Sequence, residues 1–170
     1  MSSVFEERNP TFRRIVGEEP YLEHLALGFR FCEGPVWRGD HLLFTDIPSS
    51  LIIKYQMREE GPEVTTYRYP SGHANGMTLD REGRLITCEH GNRRVGRTEH
   101  DGTITDLANQ YEGKRLNSPN DAVVKSDGSI YFTDPPYGLP NQNEGKELDF
   151  QGVFRLSPDG KTLTLLVADM

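Results

Sequence analysis

One short pattern recurs three times along this 170-residue chain and dictates where its strands can lie. The copies open at Glu33-Gly34-Pro35-Val36-Trp37, Asn75-Gly76-Met77-Thr78-Leu79 and Asn120-Asp121-Ala122-Val123-Val124. Each then crosses a polar turn into a second apolar run that ends on an acid, at Thr45-Asp46, Cys88-Glu89 and Thr133-Asp134. The openings stand 42 and then 45 residues apart, the period expected of four-stranded propeller blades.

Turn chemistry between the runs divides each copy into four strands. In the first blade these are 34–37, 41–46, 51–56 and 64–69; in the second, 76–79, 84–88, 94–98 and 103–107; in the third, 121–124, 129–133, 152–156 and 162–167. Asp101-Gly102 and Ser157-Pro158-Asp159-Gly160 supply hairpin turns at matching places, as glycine at a positive-φ position allows. Residues 1–20, charged and carrying Pro10 and Pro20, read as an irregular extension. Apolar residues alternate from Leu25 to Phe31, which predicts a further strand within 21–31. The expectation is an all-β β-propeller over 21–170, with blades at about 33–69, 75–107 and 120–167. Propellers close with about four to eight blades, so three blades read as the N-terminal half of a ring, completed by more chain or by another chain. Unpaired strand edges are templates for pairing and favour self-association.

A formal charge of −7 and a pI near 5.2 argue against nucleic acid and against anionic membrane surfaces as partners. The sequence has neither an apolar run of membrane-spanning length nor an apolar core of a secretory signal near its start, so a cytoplasmic location is expected. Cys32 and Cys88 fit no metal-binding spacing and read as reduced thiols.

If the blades ring a common axis, the polar residues that open the inner strands converge on it. Glu33 brings a carboxylate, and Asn120 brings a neutral carbonyl oxygen that can coordinate a cation without adding charge. Asn75 reads either as a turn residue, since Asn-Gly is a common turn signal, or as a lining residue. Arg115 and Asn117 lie in the polar run Arg115-Leu116-Asn117-Ser118-Pro119-Asn120-Asp121, where they can meet a hydroxylated or anionic substrate or simply face solvent. Asp46, Glu89 and Asp134 recur at matched strand ends, which suits acceptance of loop N–H groups better than catalysis. His73 and His90 read as surface residues near strand ends. A long loop, 135–151, returns to the face that carries Glu33, Asn75 and Asn120 and makes a candidate wall for a site. No GxSxG, Walker or GxGxxG motif occurs.

Taken together, Glu33-Gly34-Pro35-Val36-Trp37, Leu43-Phe44-Thr45-Asp46, Asn75-Gly76-Met77, Arg115-Leu116-Asn117-Ser118-Pro119-Asn120-Asp121 and Tyr131-Phe132-Thr133-Asp134-Pro135-Pro136-Tyr137-Gly138 resemble the gluconolactonase and senescence marker protein (regucalcin) family of six-bladed β-propellers. The resemblance implies hydrolysis of a small-molecule sugar lactone, with a central divalent cation, usually Ca2+ and also Zn2+ or Mg2+, acting as Lewis acid. It assigns Glu33 and Asn120 to the metal and Asn75, Arg115 and Asn117 to the substrate side. The family's general-base Asp has no counterpart before residue 170, so the catalytic residue is unassigned and activity of this chain alone is not expected. Two other readings stay open: a propeller that binds a ligand or protein without catalysis, and a metal-dependent arylesterase or phosphotriesterase.

Overall fold

The computed structural model describes residues 5–169. Strands β1 (Cys32–Trp37), β2 (His41–Asp46), β3 (Leu51–Arg58) and β4 (Gly61–Arg68) form one antiparallel sheet in chain order. Strands β5 (Ala74–Leu79), β6 (Leu85–Glu89), β7 (Arg94–Thr98) and β8 (Ile104–Ala108) form a second. A short hairpin of β9 (Gln110–Tyr111) and β10 (Lys114–Arg115) leads into the third, made of β11 (Ala122–Val124), β12 (Ile130–Asp134), β13 (Gly152–Leu156) and β14 (Leu163–Val167). Each sheet is a simple meander, and the first strands of the three sheets lie side by side with β5 in the middle. These are three blades of a β-propeller.

Burial follows from that order. Between the first and second sheets pack Leu43, Ile52, Ala74, Met77 and Leu85. Between the second and third pack Ile86, Cys88, Val95, Ala122, Ile130, Phe132, Phe154 and Leu156, with the rings of Phe132 and Phe154 stacked at 5.3 Å. The middle sheet is covered on both faces, so all five residues of β6 are buried and its apolar run does not alternate. On the outer faces of the first and third sheets, Trp37 and Val123 are each 61% exposed.

Two N-terminal expectations change. Residues 1–4 lie outside the described residues, and the remainder of the segment read as irregular contains one helix, α1 (Phe12–Val16). The strand expected within 21–31 does not form. Its alternation is real, but a strand needs a hydrogen-bonding partner as well as a pattern. Here only the end of the segment is tied down: Phe29 packs edge-on against Phe44 at 4.9 Å, and the N–H groups of Arg30 and Phe31 donate to the Asp46 carboxylate. Leu22 and Leu27 remain exposed.

The first two inner strands are irregular at the same place. Pairing of β1 with β2 slips between Glu33 and Val36, and pairing of β5 with β6 slips between Ala74 and Met77. Each slip inserts one extra residue, a bulge, which bends the strand and re-aims the side chains beside it. Pro35 is tolerated there because a bulge leaves its missing N–H without a ladder partner.

Candidate functional site

The bulges let three neighbouring strand starts approach at backbone distance. Gly34 has φ +53°, and a Cβ at that position would lie 2.1 Å from the Asn75 carbonyl oxygen. A Cβ on Gly76 would lie 2.2 Å from Asp121 Oδ1 and 2.6 Å from the Asn120 carbonyl oxygen. Only glycine fits either place. The Gly76 N–H donates to the Asn120 carbonyl at 2.8 Å, and the Thr45 hydroxyl lies 3.0 Å from the Glu33 carbonyl and 3.1 Å from that of Asn75. Backbone contacts of this kind hold Glu33, Asn75 and Asn120 beside one another in the fold.

A cleft of about 280 Å³ opens where they meet, lined by Glu33, Gly34, Pro35, Asn75, Gly76, Met77, Thr78, Asn120, Asp121, Ala122 and Val123. Its charged side chains are Glu33 and Asp121, both carboxylates, and no Lys or Arg lines it. Asn75 is buried, and its Nδ2 donates to Asn120 Oδ1 at 2.7 Å. The same Nδ2 lies 3.2 Å from Nε2 of His90. His90 is not the surface residue that the sequence suggested: it is 7% exposed, and a Cβ on Gly138 of the long loop would fall 2.5 Å from its own Cβ. Burial holds the imidazole below its ordinary pKa, with His73 adding to the effect. The signal that pointed toward His90 was its place just after the second strand, on the loop that returns to the site face.

Arg115 and Asn117 do not join this group. Arg115 is exposed in β10, where its N–H donates to Glu147 and its guanidinium to the Asn92 carbonyl. It lines a separate polar cleft with Asn92, Arg94, Asp106, Asn109 and Gln110. Asn117 is fully buried, with Nδ2 donating to the carbonyls of Asp134 and Phe150, both at 2.9 Å. These bonds fasten the loop 135–151 to the third blade, while Oδ1 of Asn117 is buried without a hydrogen-bond partner.

The three strand-end acids accept loop or side-chain donors. Asp46 takes the N–H groups of Arg30 and Phe31, and Asp134 takes that of Asn117 at 2.7 Å. Glu89, 1% exposed, holds Arg68 at 3.2 Å, Arg94 at 2.7 Å and Asn92 at 2.6 Å. Burial pushes the Asp134 carboxyl up to about 7, against the opposing pull of the Asn117 and Ser118 N–H groups.

Three antiparallel meander blades whose inner-strand starts meet at an acidic, carboxamide-lined cleft make this a β-propeller protein. The chain belongs to the SMP-30/Gluconolactonase/LRE-like region family, which it matches over residues 31–170. It is 36% identical to a gluconolactonase of Zymomonas mobilis subsp. mobilis over 90% of this chain and 47% of that protein. Among solved structures it resembles a gluconolactonase of Xanthomonas campestris, with 36% identity, a TM-score of 0.73, and coverage of 82% of this chain and 48% of the other. A calcium-binding regucalcin of Agrobacterium tumefaciens shares the fold at 12% identity and a TM-score of 0.57, covering 84% of this chain and 44% of its own. The chain thus spans about half the length of these relatives.

Proposed function

We propose that this chain supplies part of the active site of a divalent-cation-dependent sugar-lactone hydrolase, with the cation held at the cleft of Glu33, Asn75, Asn120 and Asp121. The observation that carries the proposal is the donor set: two carboxylates and two carboxamides around one cleft with no cationic side chain. The relationship to the gluconolactonase of Zymomonas mobilis supports the substrate class.

The donors fit a hard cation. Among the described residues no three His, Cys, Asp or Glu side chains cluster to hold a metal ion, so ligands here must include carboxamide and backbone oxygens. All-oxygen donors favour Ca2+ or Mg2+, whereas Zn2+ prefers nitrogen and sulfur. Calcium takes six to eight oxygens, so the four side chains give a partial shell that water or further protein oxygens complete. The chemistry a dication supplies at such a site is Lewis-acid polarisation of a carbonyl oxygen. In this chain Glu33 and Asp121 provide charge, Asn75 and Asn120 orient neutral oxygens, and the glycine contacts keep the strand starts from spreading. The loop 135–151, fastened through Asn117, backs the site through Gly138 and His90.

The test is hydrolysis of glucono-δ-lactone by the closed propeller that contains this chain, with Ca2+, Mg2+, Mn2+ or Zn2+ and after chelation. Turnover that chelation abolishes and calcium or magnesium restores is expected. Cation binding with no turnover of any lactone or aryl ester would instead support a non-catalytic binding propeller.

A further inference from the structure

We infer that one buried water molecule is built into this fold at the root of the loop 135–151, held by Arg93 Nη2, Asn117 Oδ1 and Asp134 Oδ1. The inference stands apart from the function proposed above.

All three residues are more than nine-tenths buried, Arg93 at 8% exposure and Asn117 and Asp134 at 0%. Each carries one buried polar atom with no hydrogen-bond partner in the protein: Nη2 of Arg93, Oδ1 of Asn117 and Oδ1 of Asp134. Buried polar groups are rarely left unpaired. The three side chains are also pinned by their other atoms. Arg93 Nε donates to the Leu116 carbonyl at 2.7 Å and Nη1 to the Gly145 carbonyl at 2.8 Å. Asn117 spends its Nδ2 hydrogens on the carbonyls of Asp134 and Phe150, which only accept, so its Oδ1 is fixed on the other side of the carboxamide. Asp134 Oδ2 takes the Asn117 N–H at 2.7 Å, which leaves Oδ1 over.

The same bonds bring the atoms to one place. Arg93 holds Leu116, the residue before Asn117, and Asn117 holds Asp134 twice. The charges of Arg93 and Asp134 act on each other, yet among the described residues the one carboxylate within 4.0 Å of the Arg93 guanidinium is that of Glu147. A water bonded to two groups at about 2.8 Å sets them about 4–5 Å apart, so this separation excludes a direct bond and suits a bridge.

The donor and acceptor count selects the ligand. Nη2 donates and the two oxygens accept. A cation is repelled by the guanidinium, and an anion by the two oxygens. Water donates twice and accepts, which matches the three atoms, and about three bonds is usual for a buried water. It serves whether Asp134 is ionised or protonated: with a proton on Oδ1 it accepts there and still donates to Asn117. The water thus joins three segments, the residue just ahead of β7, the run before β11 and the end of β12, where the loop that backs the candidate site begins.

The test is a crystal structure of the closed propeller that contains this chain, as wild type and as Asp134→Asn. In the wild type, one density peak is expected within about 2.6–3.3 Å of all three atoms, as well ordered as the side chains around it. Asp134→Asn should keep the peak, because water can accept from a carboxamide N–H as readily as donate to a carboxylate, whereas a bound cation would be lost with the charge. Direct contact of Arg93 Nη2 with Asp134 Oδ1, no peak in the wild type, contacts of about 2.4 Å typical of a cation, or loss of the peak in a folded Asp134→Asn overturns the inference. If Asp134→Asn does not fold, the wild-type structure decides it.

Discussion

Asn75 and Asn120, from the openings of consecutive blades, are joined side chain to side chain, Nδ2 to Oδ1, at 2.7 Å. A sequence repeat has become a direct contact. The repeat spacing places both at the start of an inner strand, and the glycine following Asn75 allows the second strand start to close on the third. Their positions in the cleft are therefore set by backbone packing first and by side-chain bonding second.

Gly34 should not tolerate a side chain. Its φ of +53° disfavours L-residues, and a Cβ would meet the Asn75 carbonyl oxygen at 2.1 Å. Left-handed backbone costs roughly 1–2 kcal/mol and forced overpacking about 1–3 kcal/mol. Gly34→Ala is expected to lower stability by about 2–5 kcal/mol, read as a fall in the thermal midpoint. An unchanged midpoint would mean that the strand starts are free to separate.

Glu89 should be needed for folding more than for chemistry. It is buried between Arg68 and Arg94, and removing one partner of a buried ionic network leaves charge uncompensated, at a cost of about 3–5 kcal/mol. Glu89→Gln is expected to lower the unfolding free energy by that amount, read from a denaturant titration. Loss of lactonase activity in Glu89→Gln with full stability would point to a catalytic role and against the structural one.

Asp134 should give a pH dependence opposite in sign to that of most carboxylates. Its folded pKa of about 7 lies above the ordinary 3.8, so its contribution to stability is complete below about pH 4 and is lost as pH rises through 7. Each pKa unit corresponds to about 1.4 kcal/mol, so the change is on the order of 4 kcal/mol. Acids held low by hydrogen bonds, such as Asp80 and Asp101, act below pH 4, outside this window. The stability of the wild type minus that of Asp134→Asn, measured by urea unfolding at pH 4.5, 6 and 8, should fall steadily. A flat difference would show that the carboxyl titrates normally.

Much of the fold was legible because blade strands are short and their turns carry fixed chemistry. The acids Asp46, Glu89 and Asp134 end each second strand and accept donors there, which their repetition suggested. Other features depend on partners distant in sequence. Asn117 and Asn120 lie in one polar run and differ in fate because Asp134 and Phe150 capture Asn117 in the interior, leaving Asn120 beside Asn75. His90 carries no local sign of burial, since Gly138 from the next blade's loop covers it. The alternation ahead of Phe31 satisfies a strand pattern with no strand beside it. Arg115 was placed by its polar neighbours, and the β9–β10 hairpin turns it to another cleft.

Calorimetric titration of the whole chain with Ca2+, before and after Glu33→Gln, reaches the proposed cation cleft most directly. One ion bound per chain, with Glu33→Gln weaker by roughly tenfold or more and unfolding no earlier than the wild type, is expected. Binding that Glu33→Gln leaves intact, or no binding by a folded wild type, would contradict a cation site at Glu33, Asn75 and Asn120.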